Sequence, residues 1–181
     1  MVYVFFADGF EEIEGLTVVD LLRRAGVALS MVSVTGRSKV SGSHGICIDT
    51  DLLIEDIKEE ADMLVLPGGM PGTLHLMEHK QLGALLLKQQ EAGRWLAAIC
   101  AAPSVFASYG FLKGRKATSY PGKLTEDDCA SYLEEEVVVD GNLVTSRGLG
   151  TAIPFALKLI EILVDADTAD RIAASIIYRN H

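Results

Sequence analysis

Trp95-Leu96-Ala97-Ala98-Ile99-Cys100-Ala101-Ala102-Pro103 is the stretch that decides the fold. Its first five residues are apolar and have the length of a buried strand. Pro103 stands where a proline suits the first turn of a helix. Between them sits a thiol among small residues, Ala98, Ala101 and Ala102. The stretch reads as a strand, a sharp turn and a helix, with Cys100 at the bend. That is the layout of a nucleophile elbow, although the G-x-S-x-G string is absent. Free N–H groups and partial positive charge at a helix start favour thiolate over thiol. Residue type alone leaves a second reading open, because cysteine is a small hydrophobe and is often simply buried.

Outward from this stretch, strand-like and helix-like runs alternate along the chain. Residues 2–7, 27–34 and 63–66 read as strands, and 46–48 as a short extended piece. Residues 11–25 read as a helix, with Val18, Leu21, Leu22 and Ala25 on one face and Gly26 at its stop. Further helices are predicted at 79–92, from the elbow toward Tyr109, at 151–164 and at 167–177. In the third of these, Ile153, Leu157, Ile160 and Val164 keep near-helical spacing. Residues 36–45 form a polar, turn-rich connection. Residues 137–140 and 143–146 flank Gly141-Asn142, a hairpin turn. Buried strands separated by helices pair in parallel through right-handed crossovers. The expectation is one domain, residues 1–181, of the α/β class: a three-layer α/β/α sandwich, mainly parallel, with a small antiparallel hairpin. Ligand sites in open sheets of this kind lie at the carboxyl ends of the strands. Three strand ends therefore matter most: Ala7-Asp8-Gly9, Leu66-Pro67-Gly68-Gly69 and Ile99-Cys100.

Composition narrows the function classes. The chain has 181 residues, 49% hydrophobic and 23% charged, ample for a core without staples. Sixteen Lys and Arg against 25 Asp and Glu give a formal charge of −9. An acidic chain without a basic run is a poor candidate for binding a phosphate backbone, so no nucleic-acid partner is expected. The apolar run at residues 1–7 lacks a basic flank and does not read as a signal peptide. Lys158 and Glu161 interrupt the most apolar late segment, so no membrane span is expected. Cys47, Cys100 and Cys129 show no C-x-x-C spacing, which argues against a disulfide framework or a zinc knuckle and fits a reducing cytoplasm.

Glu11, Glu12 and Glu14 follow the first strand. Acidic residues in a first helical turn are favoured by the helix dipole alone, and Glu11 and Glu12 read as such a solvated start. A helix turns about 100° per residue, so the three cannot all face one way, and one of them can turn inward over Cys100. A carboxyl beside a thiol forms a coupled pair, because two adjacent anions repel. If the thiol ionises, the carboxyl keeps its proton and donates it in a hydrogen bond to sulfur. Gly68 and Gly69 allow close backbone approach, and their N–H groups, with that of Ala101, can form an oxyanion hole beside Cys100. A plain strand-to-helix turn explains the same glycines. His75-Leu76-Met77-Glu78-His79 matches H-x-x-E-H, but it straddles a helix start and reads as surface histidines rather than a metal site. Arg147-Gly148-Leu149-Gly150-Thr151 reads as backbone geometry ahead of a helix rather than a phosphate loop. Cys47 is expected to be packed or near a subunit contact, and Cys129, among acidic neighbours, to be inert.

L-P-G-G-M-P-G, A-I-C-A-A-P and S-R-G-L-G-T, preceded by D-G-F-E-E-I-E, resemble the ThiJ/PfpI family of the class I glutamine amidotransferase-like superfamily, in its YajL/DJ-one branch. The resemblance covers essentially the whole chain. It implies a flavodoxin-like sandwich, a homodimer and a reactive cysteine on a strained elbow. By position it implies that Cys100 is the nucleophile, Glu14 the protonated partner, and Gly69 and Ala101 the amides lining the pocket beside Gly68. Several branches place a histidine near the cysteine, before a proline; the matching string here is A-T-S-Y-P, which puts Tyr120 there. Tyrosine is a poor base near neutral pH, so the Cys–His pair of a cysteine peptidase is missing. Among His44, His75, His79 and His181, none lies near the elbow in sequence, although His44 can reach the pocket from its loop. Two functions follow from the resemblance. One is a glyoxalase-like or deglycase-like enzyme acting on small aldehydes through Cys100, without a cofactor. The other is a redox sensor or chaperone whose Cys100 is oxidised to sulfinate.

Overall fold

Side-chain alternation in the first strand sets the layers. In β1 (Val2–Phe6), Val2, Val4 and Phe6 enter one apolar cluster, while Tyr3 and Phe5 enter the other. A strand buried on both faces needs helices above and below it. The computed structural model, which describes residues 1–179, supplies them. The chain continues through α1 (Glu12–Arg24), β2 (Leu29–Ser33), β3 (Lys39–Ser41), β4 (Cys47–Asp49), β5 (Leu52–Leu53) and β6 (Met63–Leu66). Then come α2 (Gly72–Glu78), α3 (Lys80–Glu91), β7 (Trp95–Ile99), α4 (Pro103–Ser108), β8 (Lys116–Ala117) and β9 (Ser131–Tyr132). The chain closes with β10 (Val137–Asp140), β11 (Leu143–Ser146), α5 (Ala152–Leu163) and α6 (Ala166–Ser175).

The central sheet runs β10-β11-β7-β6-β1-β2-β5. All neighbours in it are parallel except the β10–β11 hairpin. Leu22 of α1, Leu159 of α5 and Ile172 of α6 belong to the cluster on one face of the sheet. Leu76 of α2, Leu86 of α3 and Phe106 of α4 belong to the cluster on the other. The α/β sandwich read from the alternation is the observed fold. The chain builds outward from β1 to β2 and β5, then crosses back to β6, so the strand order reverses between β1 and β6. Such a reversal opens a crevice at the carboxyl ends of the strands. In register, Leu66 of β6 faces Ala98 of β7, and Ile99 of β7 faces Ser146 of β11. The ends of three neighbouring strands thus arrive at one level.

Most predicted elements lie within two residues of their observed bounds. The connection read at 36–45 is different. It holds β3, which pairs antiparallel with β4 in a separate two-stranded sheet. Of its residues only Val40 is buried, so no alternating pattern marked it. Helix α2, which fills the crossover after the Pro67-Gly68-Gly69 turn, was not predicted either.

Candidate functional site

Cys100 follows β7 directly and adopts φ +65°. A β-carbon makes this left-handed conformation costly, and non-glycine residues hold it only where their surroundings enforce it. The Cys100 N–H donates to the Ser146 carbonyl at 3.0 Å, and its carbonyl accepts from the Tyr120 N–H at 2.7 Å. Two neighbouring segments therefore clamp the peptide units on both sides of the bend. Pro103 occupies the first turn of α4. The thiol is half-buried, and the Glu14 carboxyl stands beside it, since the two residues meet across the backbone of Gly68.

Glu14 is the acid of the three that turns inward, with 1% of its surface exposed. Its Oε2 accepts from the Gly68 N–H at 3.0 Å. The Gly68 carbonyl accepts from the Glu11 N–H at 2.9 Å, so the first turn of α1 is tied to the β6 turn from both sides. Burial pushes the Glu14 carboxyl up to about 7; the Cys100 hydrogen bond and the Gly68 amide pull downward, and nearby Glu11 adds repulsion. Burial also pushes the Cys100 thiol up to about 12, helped by the Glu14 charge and its hydrogen bond. The amides of Ala101 and Gly69 donate toward the sulfur and oppose the rise. The helix start was expected to favour thiolate; burial and the facing carboxylate outweigh it. The two groups behave as one unit, which sheds a first proton readily and a second with difficulty.

Glu11 and Glu12 are not a solvated helix start. Both are buried, because each carboxylate has work inside the fold. Glu11 caps α1, accepting from the Glu14 N–H at 2.8 Å. Glu12 accepts from the His44 N–H at 2.7 Å and stands 3.0 Å from His44 Nδ1, binding the β3–β4 turn to the helix. Burial pulls Glu12 upward, yet the His44 ring and the local amides hold it at about 2. His44 from its loop therefore meets Glu12 rather than the thiol. Donor atoms of Glu11, Glu12 and His44 lie within 4.8 Å of one another, close enough to hold a cation, but they are engaged in fastening the turn.

Around the sulfur the backbone comes unusually near. A Cβ on Gly68 would stand 2.6 Å from both Cys100 Cβ and Glu14 Oε2. Gly69 adopts φ +93°, and a Cβ there would strike the Glu11 amide. Both glycines are thus demanded by the site. The Tyr120 ring stands at the mouth of the hollow, about half exposed. Gly148 completes the hollow, its Cα facing the sulfur, the Glu14 carboxyl and the Tyr120 ring together. Sequence reasoning left Gly148 out, assigning its loop to helix geometry. Its presence in the S-R-G-L-G-T string was the available signal.

The structure brings Cys100, Glu14, Gly68, Gly69, Ala101 and Tyr120 together. The H-x-x-E-H string is divided: His75 and Glu78 lie in α2, while His79 caps α3 through its Nδ1 at 3.2 Å from the Leu82 N–H. His181 lies outside the described residues. Cys47 is exposed rather than packed, with Ser41 Oγ 3.3 Å from its sulfur. Cys129 is buried, and burial followed by the Asp128 charge pushes its thiol up. Among the described residues no helix is long and apolar enough to cross a membrane.

Residues 1–162 match the DJ-1/PfpI family. The chain belongs to that family. It is 38% identical to protein DJ-1 homolog A of Arabidopsis thaliana over 98% of its own length; the chain spans about half, 46%, of that relative. It is 34% identical to the deglycase TK1284 of Thermococcus kodakarensis, over 90% of this chain and 98% of that protein. The structure of oxidized Toxoplasma gondii DJ-1 superposes with a TM-score of 0.92 at 39% identity, covering 98% of both chains.

Proposed function

We propose that this protein protects against chemical stress by acting on small reactive carbonyls, with Cys100 as nucleophile and Glu14 as proton partner. The observation that carries this reading is the buried Glu14 carboxyl beside a half-buried thiol held at φ +65°. The similarity to a protein named as a deglycase supports the same class of chemistry. The sulfur lone pair attacks the aldehyde carbon, the C=O π electrons move to oxygen, and the Glu14 proton reaches that oxygen to give a hemithioacetal. The pair's last proton sits on the sulfur, so the Glu14 carboxylate takes it as the sulfur attacks and passes it to the new alkoxide oxygen. The Gly69 and Ala101 amides, aimed at the sulfur, stabilise the negative charge as it moves from sulfur to oxygen. The position where related branches carry a histidine holds Tyr120, so the Cys–His pairing of a peptidase is missing, turnover is slow and peptidase chemistry is not part of the function. The protein works without a cofactor, as a cytoplasmic homodimer of one domain spanning residues 1–181.

The test is consumption of methylglyoxal by the wild type, by Cys100→Ala, and by Glu14→Gln and Glu14→Leu. Activity is expected to vanish in the cysteine variant and to fall further in the leucine variant than in the glutamine variant, which keeps a donor. Equal rates in wild type and Cys100→Ala would sink the reading. Light scattering tests the dimer.

A second reading is supported by the similarity to a DJ-1 protein solved in an oxidized state. Two equivalents of hydrogen peroxide would each transfer one oxygen to Cys100, giving sulfinate and two waters, and the Glu14 proton would hold a sulfinate oxygen. The protein would then act as a redox sensor or chaperone. Mass spectrometry after mild peroxide decides it: Cys100 must gain oxygen before Cys47 and Cys129.

A further inference from the structure

A second hollow, of about 760 Å³, is lined entirely by the segment from Leu124 to Leu133. Leu124 and Cys129 in its wall belong to an apolar core cluster, and Tyr132 packs against that cluster. The hollow therefore offers an incoming apolar side chain the edge of the core. An open strand edge lies in the same segment. In β9, the Ser131 N–H donates to the Arg115 carbonyl and the Leu133 N–H to the Ala117 carbonyl. Bonding residues alternate along a parallel pair, so Tyr132, between them, turns its own N–H and C=O away from β8. Neither group has a partner among the described residues. The surroundings are acidic. From Leu124 to Glu136 the chain carries six acids and no lysine or arginine. Asp128 accepts from Thr125, Glu136 pairs with Arg179, and Glu134 lies 3.8 Å from Arg147. Glu126, Asp127 and Glu135 are exposed and stay unpaired among the described residues. Glu126 itself lines the hollow.

We propose that this surface binds an extended basic segment of a partner protein. The segment pairs with the Tyr132 main chain, places one apolar side chain in the hollow, and sets lysines or arginines against Glu126, Asp127 and Glu135. In this mode of strand addition the main-chain bonds hold the peptide, while the hollow and the charges select it. An open strand edge invites another strand, and the charge beside it decides which one is admitted. A second copy of this chain, at a formal charge of −9, is repelled, whereas a basic segment is drawn in. Such binding does not depend on the chemistry at Cys100.

The probe is the fluorescein-labelled peptide GKRLRKG, followed by anisotropy as the full chain is added. Saturable binding is expected at low salt, weakening as salt is raised. The peptide GKRSRKG, with serine for leucine, is expected to bind about tenfold more weakly, because it has no apolar side chain to bury. Glu126→Lys and Glu135→Lys are each expected to weaken binding by about threefold or more. Ala130→Trp, at an exposed position lining the hollow, fills it and is expected to cost about tenfold. Glu91→Lys makes the same change of charge at the exposed end of α3 and leaves binding as it was. Absence of saturable binding, equal affinity for the serine peptide, or wild-type affinity in Ala130→Trp overturns the proposal. So does a loss in Glu91→Lys equal to that in Glu126→Lys, since net charge alone would then draw the peptide. The two peptides are compared on the unaltered chain, so their contrast decides the matter even if a variant fails to fold.

Discussion

Gly68 donates its N–H to Glu14 Oε2 at 3.0 Å, and it can do so only because it has no side chain of its own. The same residue accepts from the Glu11 N–H, so one peptide fixes both the acid and the helix that carries it. A methyl group at position 68 would lie 2.6 Å from Glu14 Oε2, 2.6 Å from Cys100 Cβ and 3.0 Å from the Ile99 carbonyl oxygen. Neither the carboxyl nor the elbow can yield without moving the other. Gly68→Ala is therefore expected to destabilise the fold by about 1–3 kcal/mol, the usual range for overpacking. Urea unfolding measures this. A lowered midpoint at unchanged slope is the expected result, together with reduced Cys100 alkylation.

Burial of Glu14 makes stability depend on pH in a defined window. Its carboxyl is pushed from 4.5 up to about 7, by burial above all. The unfolded chain gives up this proton near 4.5, the folded chain near 7. Between those values the folded state holds more protons, so stability falls as pH rises. The contribution is complete below 4.5 and gone above about 7, a loss on the order of 3 kcal/mol. Glu14→Gln has no proton to lose and should lack this decline. Urea midpoints of the two proteins across the window check it; parallel pH profiles would contradict the burial of the carboxyl.

Glu12 acts in the opposite sense. Its carboxylate is held at about 2 by the His44 ring and the turn amides, so the folded state prefers it ionised. That preference stabilises the fold above 4.5 and is lost as pH falls through about 2. Glu12→Gln keeps the shape but loses the charge and one acceptor, leaving the His44 amide less well bound. The expected effect is about 1–3 kcal/mol of stability, concentrated in the β3–β4 turn. Hydrogen exchange at the His44 and Ile46 amides reports it, with faster exchange there and little change in β6 or β7.

The sheet was legible because β1, β6 and β7 are short apolar runs and helices α1, α3 and α5 present apolar faces to it. Cys100 was legible as a bend because the apolar run of β7 ends at a thiol ahead of Pro103, and the resemblance favoured a reactive cysteine over a simply buried one. Glu14 needed more. Periodicity showed that the three acids could not all face one way and that one could turn inward, and the resemblance supplied which. Strand β3 was hidden because the Lys39–Ser41 segment buries only Val40 and pairs with an equally short partner. The burial of Glu12 was hidden because its partners, the His44 ring and main-chain amides 32 and 34 residues away, lie in a turn that no local pattern links to the helix start. Gly148 was hidden because the groups it approaches come from α1, the elbow and the loop bearing Tyr120, all distant in sequence.

Tyr120 offers the remaining test of how the hollow works. Its ring lies 3.6 Å from the Gly148 Cβ position, at the mouth of the space above the sulfur. It is about half exposed, so the position accepts other rings of similar size without disturbing the core. Its N–H donates to the Cys100 carbonyl through the backbone, a bond that survives any substitution except proline. Tyr120→His places an imidazole at the rim, a group that titrates near pH 6.5 and can accept a proton where a phenol cannot. Methylglyoxal consumption is expected to rise, by up to about 10²-fold, since a positioned acid–base group contributes that much or more. The gain should appear only above about pH 6.5, adding an inflection that the wild type lacks. Alkylation by iodoacetamide needs no proton delivered to an oxygen, so it should change far less than carbonyl turnover. A Tyr120→His variant with wild-type turnover and an unaltered pH profile would show that the rim lies outside the proton path, leaving Glu14 to carry it alone.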